Sequence, residues 1–433
     1  MGAPSNASGC PNPRLLSTAR DARRAISLCH ALLSERGEVS GAGLATAALA
    51  AIQSLDAPAL DVFFDLLVDE FSPDPARVEQ AAAAYGTHPS STNLRRLREA
   101  VEPPRQELFR RLNLAPAGLA RLIEMRRRLL CTLADHVQRA SIDDDLVQLF
   151  RSWFNGGFLL LQRIEWSTSA LVLERLIQYE AVHEIHGWRD LRRRLEADRR
   201  CYALFHPSLP DEPLIFIEVA LTRGMSAKVQ PLLHPDSVVV DPRTVDCATF
   251  YSISNCQEGL RGVSFGNGLI NQAVADLRRA FPQLRMFATL SPIPGFTRWL
   301  ATATASLGCD VISAELAALL ARLAAGDAPD PTTMSGDLQS ELSRLCAYYL
   351  LHAKRGNVPL DPVARFHLAN GAFLERLNWL GDTSVAGIHR SLGMCVNYLY
   401  RFGDVERNHQ AYARENKISA SCEFERLATL QVG

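Results

Sequence analysis

The chain has 433 residues, with 46 Lys+Arg against 47 Asp+Glu and a formal net charge of −1. That balance excludes a generally basic nucleic-acid binder and a heavily acidic tail, and 47% hydrophobic with 21% charged residues excludes a disordered chain. At roughly 100–200 residues per domain, the length predicts two or three domains with sizeable cores.

No apolar run reaches the ~18–20 residues of a membrane span, and the N-terminal stretch has no signal-peptide core. Leu430–Gly433 matches no peroxisomal or retention signal. The expectation is a soluble, unexported chain with no membrane partner. Ten cysteines run from Cys10 to Cys422 without a C-x-x-C pair, which argues against zinc and against a disulfide scaffold. Reduced, mostly buried thiols are expected. Lys228, Lys354 and Lys417 are the only lysines, leaving 43 arginines. Codon bias explains such an excess, so phosphate binding has to be argued from position.

Residues 1–12 are small, polar and Pro-bearing, and read as a frayed arm. From residue 13 to 152 the pattern is helical. Leu119, Leu122, Ile123, Leu129 and Leu130 recur at helical spacing, and so do Leu94, Leu97 and Val101 before Pro103-Pro104 ends that helix. An all-helical domain with an amphipathic surface for a partner or a second copy is predicted.

The texture changes at Phe154-Asn155-Gly156-Gly157. Short runs rich in branched and aromatic residues follow: Leu214–Leu221, Ser237–Val240, Ala248–Ser254 and Arg285–Leu290. Ile270, Val274, Leu277 and Phe281 mark a helix between the last two, so residues 153–433 form an α/β or α+β domain. Helix returns from Ala301 to about Ala353, and a strand is expected at CVNYLYRF.

The strand Ala248–Ser254 leads through Arg261-Gly262-Val263-Ser264-Phe265-Gly266-Asn267 into the helix. Glycines let the backbone approach a ligand closely, and the helix start offers free N–H groups and positive potential, which suit a diphosphate. Neither a Walker loop nor G-x-G-x-x-G is present. Taken alone, such a turn is more often a plain tight connection. Its spacing resembles the pyrophosphate loop of the GNAT acyl-CoA-binding fold, with Ser264 where the middle glycine would stand.

Three further peptides carry chemistry. TLSPIPGFTRWL (Thr289–Leu300) follows a strand, with prolines that stiffen the turn holding Ser291. RFHLANGAFLERLNWLGD (Arg365–Asp382) holds His367 and Asn370, and MCVNYLYRF (Met394–Phe402) holds Asn397, Tyr398 and Tyr400. Together with WFNGGFLLLQRIEWSTSA, YEAVHEIHGWRDLRRRL and HPSLPDEPLIFIEVALT, these segments resemble the malonyl-CoA decarboxylase family over most of the chain.

The resemblance implies a helical oligomerisation domain followed by a GNAT-like catalytic domain, acting as a homodimer or homotetramer. It implies decarboxylation of malonyl-CoA to acetyl-CoA and CO2 with no metal, biotin or other cofactor. The family's catalytic serine falls on Ser291, its histidine on His367 and an active-site tyrosine on Tyr400, with Tyr398 close by. Its acyl-CoA loop falls on Arg261–Asn267, where Ser264 replaces a glutamate found in some members. The absent peroxisomal tripeptide agrees with a bacterial cytoplasmic form, and malonate catabolism and control of malonyl-CoA both suit it.

Loss of CO2 from a malonyl thioester leaves an enolate that needs oxygen stabilisation and a proton at C2. A histidine with a near-neutral pKa suits the proton donor, His367, and Ser291 suits a hydrogen bond to the carboxylate or enolate. No acyl-enzyme is required. An acyl-CoA N-acetyltransferase or a non-catalytic acyl-CoA sensor are the rival expectations.

Overall fold

The computed structural model describes residues 13–35, 38–263, 268–303, 313–325 and 330–429. The expected arm at 1–12 lies outside the described residues. The chain forms two compact units.

The first unit contains the described residues up to Leu159, together with His206–Pro210 and the segment from Gln257. Its helices are α1 (Pro13–Ser34), α2 (Glu38–Gln53), α3 (Ala57–Glu70), α4 (Pro75–Thr87), α5 (Ser91–Val101), α6 (Pro104–Asn113), α7 (Gly118–Thr132) and α8 (Ala140–Trp153). Local chemistry sets their starts. Asp56 caps α3 by accepting the Ala59 N–H at 2.9 Å, Asp74 caps α4 through the Ala76 N–H at 3.0 Å, and proline occupies the first turn of both. Pro103-Pro104 separates α5 from α6.

Phe63, Phe64, Leu108, Phe109, Leu122, Leu129, Leu146 and Phe150 make its core. Arg139 is fully buried, bonded to Asp61 at 2.6 Å and Asp65 at 2.9 Å. The Leu94–Leu97–Val101 stripe forms as spaced, yet its helix packs chiefly against α4, and neither helix buries a residue fully.

In the second unit, β1 (Leu160–Ile164), β2 (Arg199–Phe205), β3 (Ile215–Thr222), β4 (Cys247–Asn255), β5 (Met286–Thr289) and β6 (Ser291–Pro292) are followed by a hairpin, β7 (Lys354–Arg355) and β8 (Val358–Pro359), then β9 (Phe373–Asn378) and β10 (Cys395–Leu399). Between and after them lie α9 (Ala170–Tyr179), α10 (Trp188–Arg194), α11 (Gln230–Leu233), α12 (Leu269–Ala280), α13 (Phe296–Ala303), α14 (Ala314–Ala324), α15 (Gly336–His352), α16 (Pro362–Ala369), α17 (Val385–Ser391), α18 (Val405–Glu415) and α19 (Cys422–Ala428).

The main sheet runs β1-β2-β3-β4-β5-β10-β6, with β9 also paired to β10. Only β4 and β5 are parallel, joined by the α12 crossover, and every other pair is antiparallel. In chain order an all-helical region is followed by a mixed-sheet domain, as the resemblance implies. One strand expectation fails. Ser237–Val240 is irregular, with Val238 85% exposed and the Val240 N–H spent on Asp198 at 3.1 Å. Asp236 and Pro242 bracket it with turns, so no partner strand is reached.

Among the described residues no helix is long and apolar enough to cross a membrane. Cys29, Cys201, Cys247, Cys256, Cys346 and Cys395 are buried and free, while Cys131 and Cys422 are exposed. Burial pushes the Cys29 thiol up to about 12, which makes it inert.

Candidate active site

Three elements of the second unit converge on His367. The first is the β5–β6 junction, where Ser291 on β6 pairs with Val396 of β10. Strand alternation puts Thr289 and Ser291 on one face. The second is α16, which Asp361 and Pro362 start. Asp361 Oδ1 accepts the N–H groups of Val363 at 3.0 Å and Ala364 at 2.9 Å. The helix carries His367 and stops at Asn370, after which Gly371 at φ +77° turns the chain. A side chain on Gly371 would strike the Val405 carbonyl, 2.2 Å from an added Cβ. The third element is β10, which supplies Tyr398 and leads to Tyr400.

A hydrogen-bonded row results. Ser291 Oγ lies 3.0 Å from His367 Nε2, and the Tyr400 hydroxyl lies 2.9 Å from His367 Nδ1. Ser291 Oγ also donates to Thr289 Oγ1 at 2.8 Å. The Tyr398 ring stacks on His367 with centroids 4.5 Å apart, so both tyrosines touch the histidine while Tyr400 alone bonds it. Ser291, His367 and Tyr400 are all buried. Asn397 braces the strand pair by donating to the Thr289 carbonyl at 2.6 Å, and Asn370 Nδ2 satisfies the Phe366 carbonyl at 2.8 Å.

The sequence reading expected a near-neutral histidine. Burial instead pushes His367 down to about 3, because removing the imidazole from water penalises its charged form. Burial also raises the Tyr400 phenol, which stays protonated at ordinary pH. The row therefore holds neutral groups able to donate and accept protons without carrying charge.

Of the loop Arg261–Asn267, residues Ser264, Phe265, Gly266 and Asn267 lie outside the described residues. The described part packs with the helical unit. Arg126 of α7 donates to the carbonyls of Gly259 at 2.7 Å and Arg261 at 2.8 Å, and is itself held by Asp143 at 2.7 Å. Gly259 approaches α7 so closely that an added Cβ would lie 2.0 Å from the Ile123 carbonyl. Arg261 is exposed, and Gly262 has φ +82°. The α12 crossover begins at Gly268 and Leu269.

Sequence reasoning missed Thr289 and Asp361 as members of this arrangement. The i−2 relation to Ser291 in a strand and the Asp-Pro start before a helix were the signals that could have found them. Gly295, which the sequence marks as a bend after Ser291, also sits in a tight space. An added Cβ there would lie 2.1 Å from the Tyr349 hydroxyl, whose phenol neighbours the Asp361 carboxylate at 3.5 Å. Gly295→Ala is expected to push Tyr349 and Asp361 off the start of α16 and to lower kcat more than tenfold, the loss of at least one hydrogen bond's worth of positioning. Steady-state kinetics beside a thermal melt check this, and unchanged kcat would refute it. Among the described residues no group of three or more His, Cys, Asp or Glu is arranged to hold a metal ion.

A buried Ser–His–Tyr row on a mixed sheet, in a chain whose earlier part is all-helical, is the arrangement of an enzyme that moves protons. A family profile described as "Malonyl-CoA decarboxylase C-terminal domain" matches residues 157–431, and its N-terminal counterpart matches residues 71–154. The mitochondrial malonyl-CoA decarboxylase of Anser anser anser is 38% identical over 352 residues, which cover 75% of this chain and 69% of that protein. The crystal structure of malonyl-CoA decarboxylase from Rhodopseudomonas palustris is 46% identical with a TM-score of 0.88, covering 94% of this chain and 99% of that one. That from Agrobacterium vitis is 45% identical with a TM-score of 0.87, covering 94% and 100%. The chain belongs to the malonyl-CoA decarboxylase family, and decarboxylation of malonyl-CoA is its activity.

Proposed function

We propose that Ser291, His367 and Tyr400 carry the decarboxylation, converting malonyl-CoA to acetyl-CoA and CO2 through an enolate, with no metal or biotin. The observation that carries this reading is the row Ser291 Oγ, His367 Nε2, His367 Nδ1, Tyr400 hydroxyl, with contacts of 3.0 and 2.9 Å in a buried setting.

The reaction consumes one proton: the malonyl carboxylate leaves as CO2 and C2 gains a hydrogen. His367 is neutral before substrate enters. The arriving carboxylate favours the imidazolium, so Nδ1 takes up a proton that the Tyr400 oxygen accepts as a hydrogen bond. As the C2–carboxylate bond breaks, its electron pair moves into the thioester carbonyl. The Ser291 hydroxyl donates to that developing oxyanion, a contact worth more in a dry site than in water. His367 then delivers the Nε2 proton to C2 and is left neutral, with its remaining hydrogen on Nδ1 until the ring re-equilibrates.

The segment Arg261–Asn267 takes the CoA diphosphate, a role supported by the exposed Arg261 guanidinium and the positive φ of Gly262. Val263 is buried and anchors the segment. The chain assembles as a homodimer or homotetramer through its helical domain. The half-covered stripe of Leu94, Leu97 and exposed Val101 supports this, and light scattering of the purified protein tests it. A bacterial cytoplasmic setting is supported by the bacterial sources of its solved relatives.

Incubation with carboxyl-labelled malonyl-CoA and no amine tests the function. Stoichiometric CO2 and acetyl-CoA are expected. Acetyl transfer that starts only when an amine is added would favour an N-acetyltransferase, and binding without turnover would favour a sensor.

A further inference from the structure

Thr289 sits beside the reactive row without belonging to it. Its hydroxyl oxygen receives two hydrogen bonds, from the Tyr398 backbone N–H at 3.1 Å and from Ser291 Oγ at 2.8 Å. A backbone N–H can only donate, so one lone pair of Thr289 Oγ1 is committed, and the second takes the Ser291 proton. A serine hydroxyl has a single proton. With that proton on Thr289, Ser291 Oγ meets His367 Nε2 as an acceptor, and the imidazole hydrogen must lie on Nε2. Nδ1 is then bare and accepts the Tyr400 hydroxyl at 2.9 Å. Ser291, His367 and Tyr400 then each donate to one acceptor in the row, with the order set from the strand end.

The geometry points to Thr289 as a positioning residue that parks the Ser291 proton and thereby fixes His367 as its Nε2–H tautomer. The parking matters for the reaction because it decides which ring nitrogen faces the substrate with a hydrogen. Without Thr289 Oγ1, the nearest acceptor for the Ser291 proton is His367 Nε2. The imidazole hydrogen would then move to Nδ1, with the Tyr400 oxygen accepting it. The proton taken up when substrate enters would then have to be placed on Nε2, where the Ser291 hydroxyl stands, and not on Nδ1.

Thr289 is fully buried and its backbone carbonyl is bonded to Asn397 Nδ2, so its side chain cannot swing away to another partner without disturbing β10. A serine keeps the hydroxyl at this position. A valine keeps the shape and removes it.

This inference rests on the reading that Ser291 and His367 carry the reaction, and the test separates the two. Ser291→Ala, His367→Asn, Thr289→Val and Thr289→Ser are assayed together on malonyl-CoA. Thr289→Val is expected to lower kcat about tenfold, the worth of one hydrogen bond, with KM within twofold, and Thr289→Ser is expected to recover most of it. Nitrogen NMR of histidine-labelled enzyme, with His367→Asn to assign the signal, reads the tautomer directly. The wild type should carry its hydrogen on Nε2, and Thr289→Val should shift population to Nδ1–H, a change that loss of mere packing would not produce. A wild-type signal from Nδ1–H overturns the inference even if Thr289→Val does not fold. An unchanged tautomer or an unchanged kcat in Thr289→Val also overturns it. Full activity in Ser291→Ala and His367→Asn would instead refute the site reading itself.

Discussion

His367→Asn is expected to lower kcat on malonyl-CoA by about 10³-fold, within the range that a positioned general acid supplies. Asparagine keeps a polar side chain of similar reach but cannot accept and release the proton. Ser291→Ala should cost about 10²-fold, typical of one lost oxyanion donor. Binding of CoA itself should change little in either variant, since neither residue is placed at the diphosphate. If both variants kept wild-type turnover, the row would have no part in the chemistry.

The same histidine leaves a mark on stability. Its pKa falls from an ordinary 6.5 to about 3 on folding, and burial is the cause. Between these values the unfolded chain binds a proton that the native state refuses. The contribution is therefore complete above about pH 6.5 and is lost progressively as pH falls toward 3. Relative to His367→Asn, the wild type should lose about 1.4 kcal/mol per pH unit below 6.5. Urea unfolding at pH 7.5 and pH 5.5 measures the difference, and parallel losses in the two proteins would contradict it.

The second large effect lies away from the site. Arg194 on α10 bonds Glu218 on β3 at 2.5 Å and the His183 carbonyl at 2.8 Å, with both charged side chains almost wholly buried. Arg194→Met leaves a carboxylate buried without its cation and is expected to cost about 3–5 kcal/mol. Removing the charge as well, in Arg194→Met with Glu218→Leu, should restore much of that. Burial raises Glu218 to about 7 even with Arg194 opposing it. That shift contributes stability in full below about pH 4.5 and loses it as pH rises through about 7. The Arg194→Met deficit should accordingly be smaller at pH 6, where Glu218 can go neutral, than at pH 8. Equal deficits in urea unfolding at the two values would show that the carboxylate is not the source.

What the sequence makes legible follows from how locally each signal is written. The break after α5 is visible because Pro103-Pro104 acts within one turn, and β3, β4, β5 and β10 because branched and aromatic runs lie between breakers. β2 escapes notice because it opens on Arg199-Arg200. Its charge is compatible with a strand only because the buried Arg199 reaches the Leu232 carbonyl at 2.8 Å and Asp198 at 2.9 Å. β1 is an edge strand with mostly uncovered side chains, and β9 carries Glu375 and Arg376 in a short alternating run, so neither shows an apolar pattern. Ser237–Val240 errs in the opposite direction, as three valines with no neighbour to pair.

At the site, the peptides holding Ser291, His367 and Tyr400 are distinctive in sequence. Their convergence is a long-range property, with Ser291 and His367 separated by 76 positions. The acidity of His367 was beyond reach for the same reason. It depends on how completely the surrounding chain excludes water, which no local motif records.

Arg126 and its hold on the carbonyls of Gly259 and Arg261 have a consequence for inheritance. The helical unit is not a contiguous block, since the chain returns to it at His206–Pro210 and again from Gln257. A gene fragment ending after α8 would encode helices with part of their own fold missing, and one beginning there would encode strands interrupted by two orphaned loops. Neither unit is therefore encoded by one uninterrupted stretch of the gene.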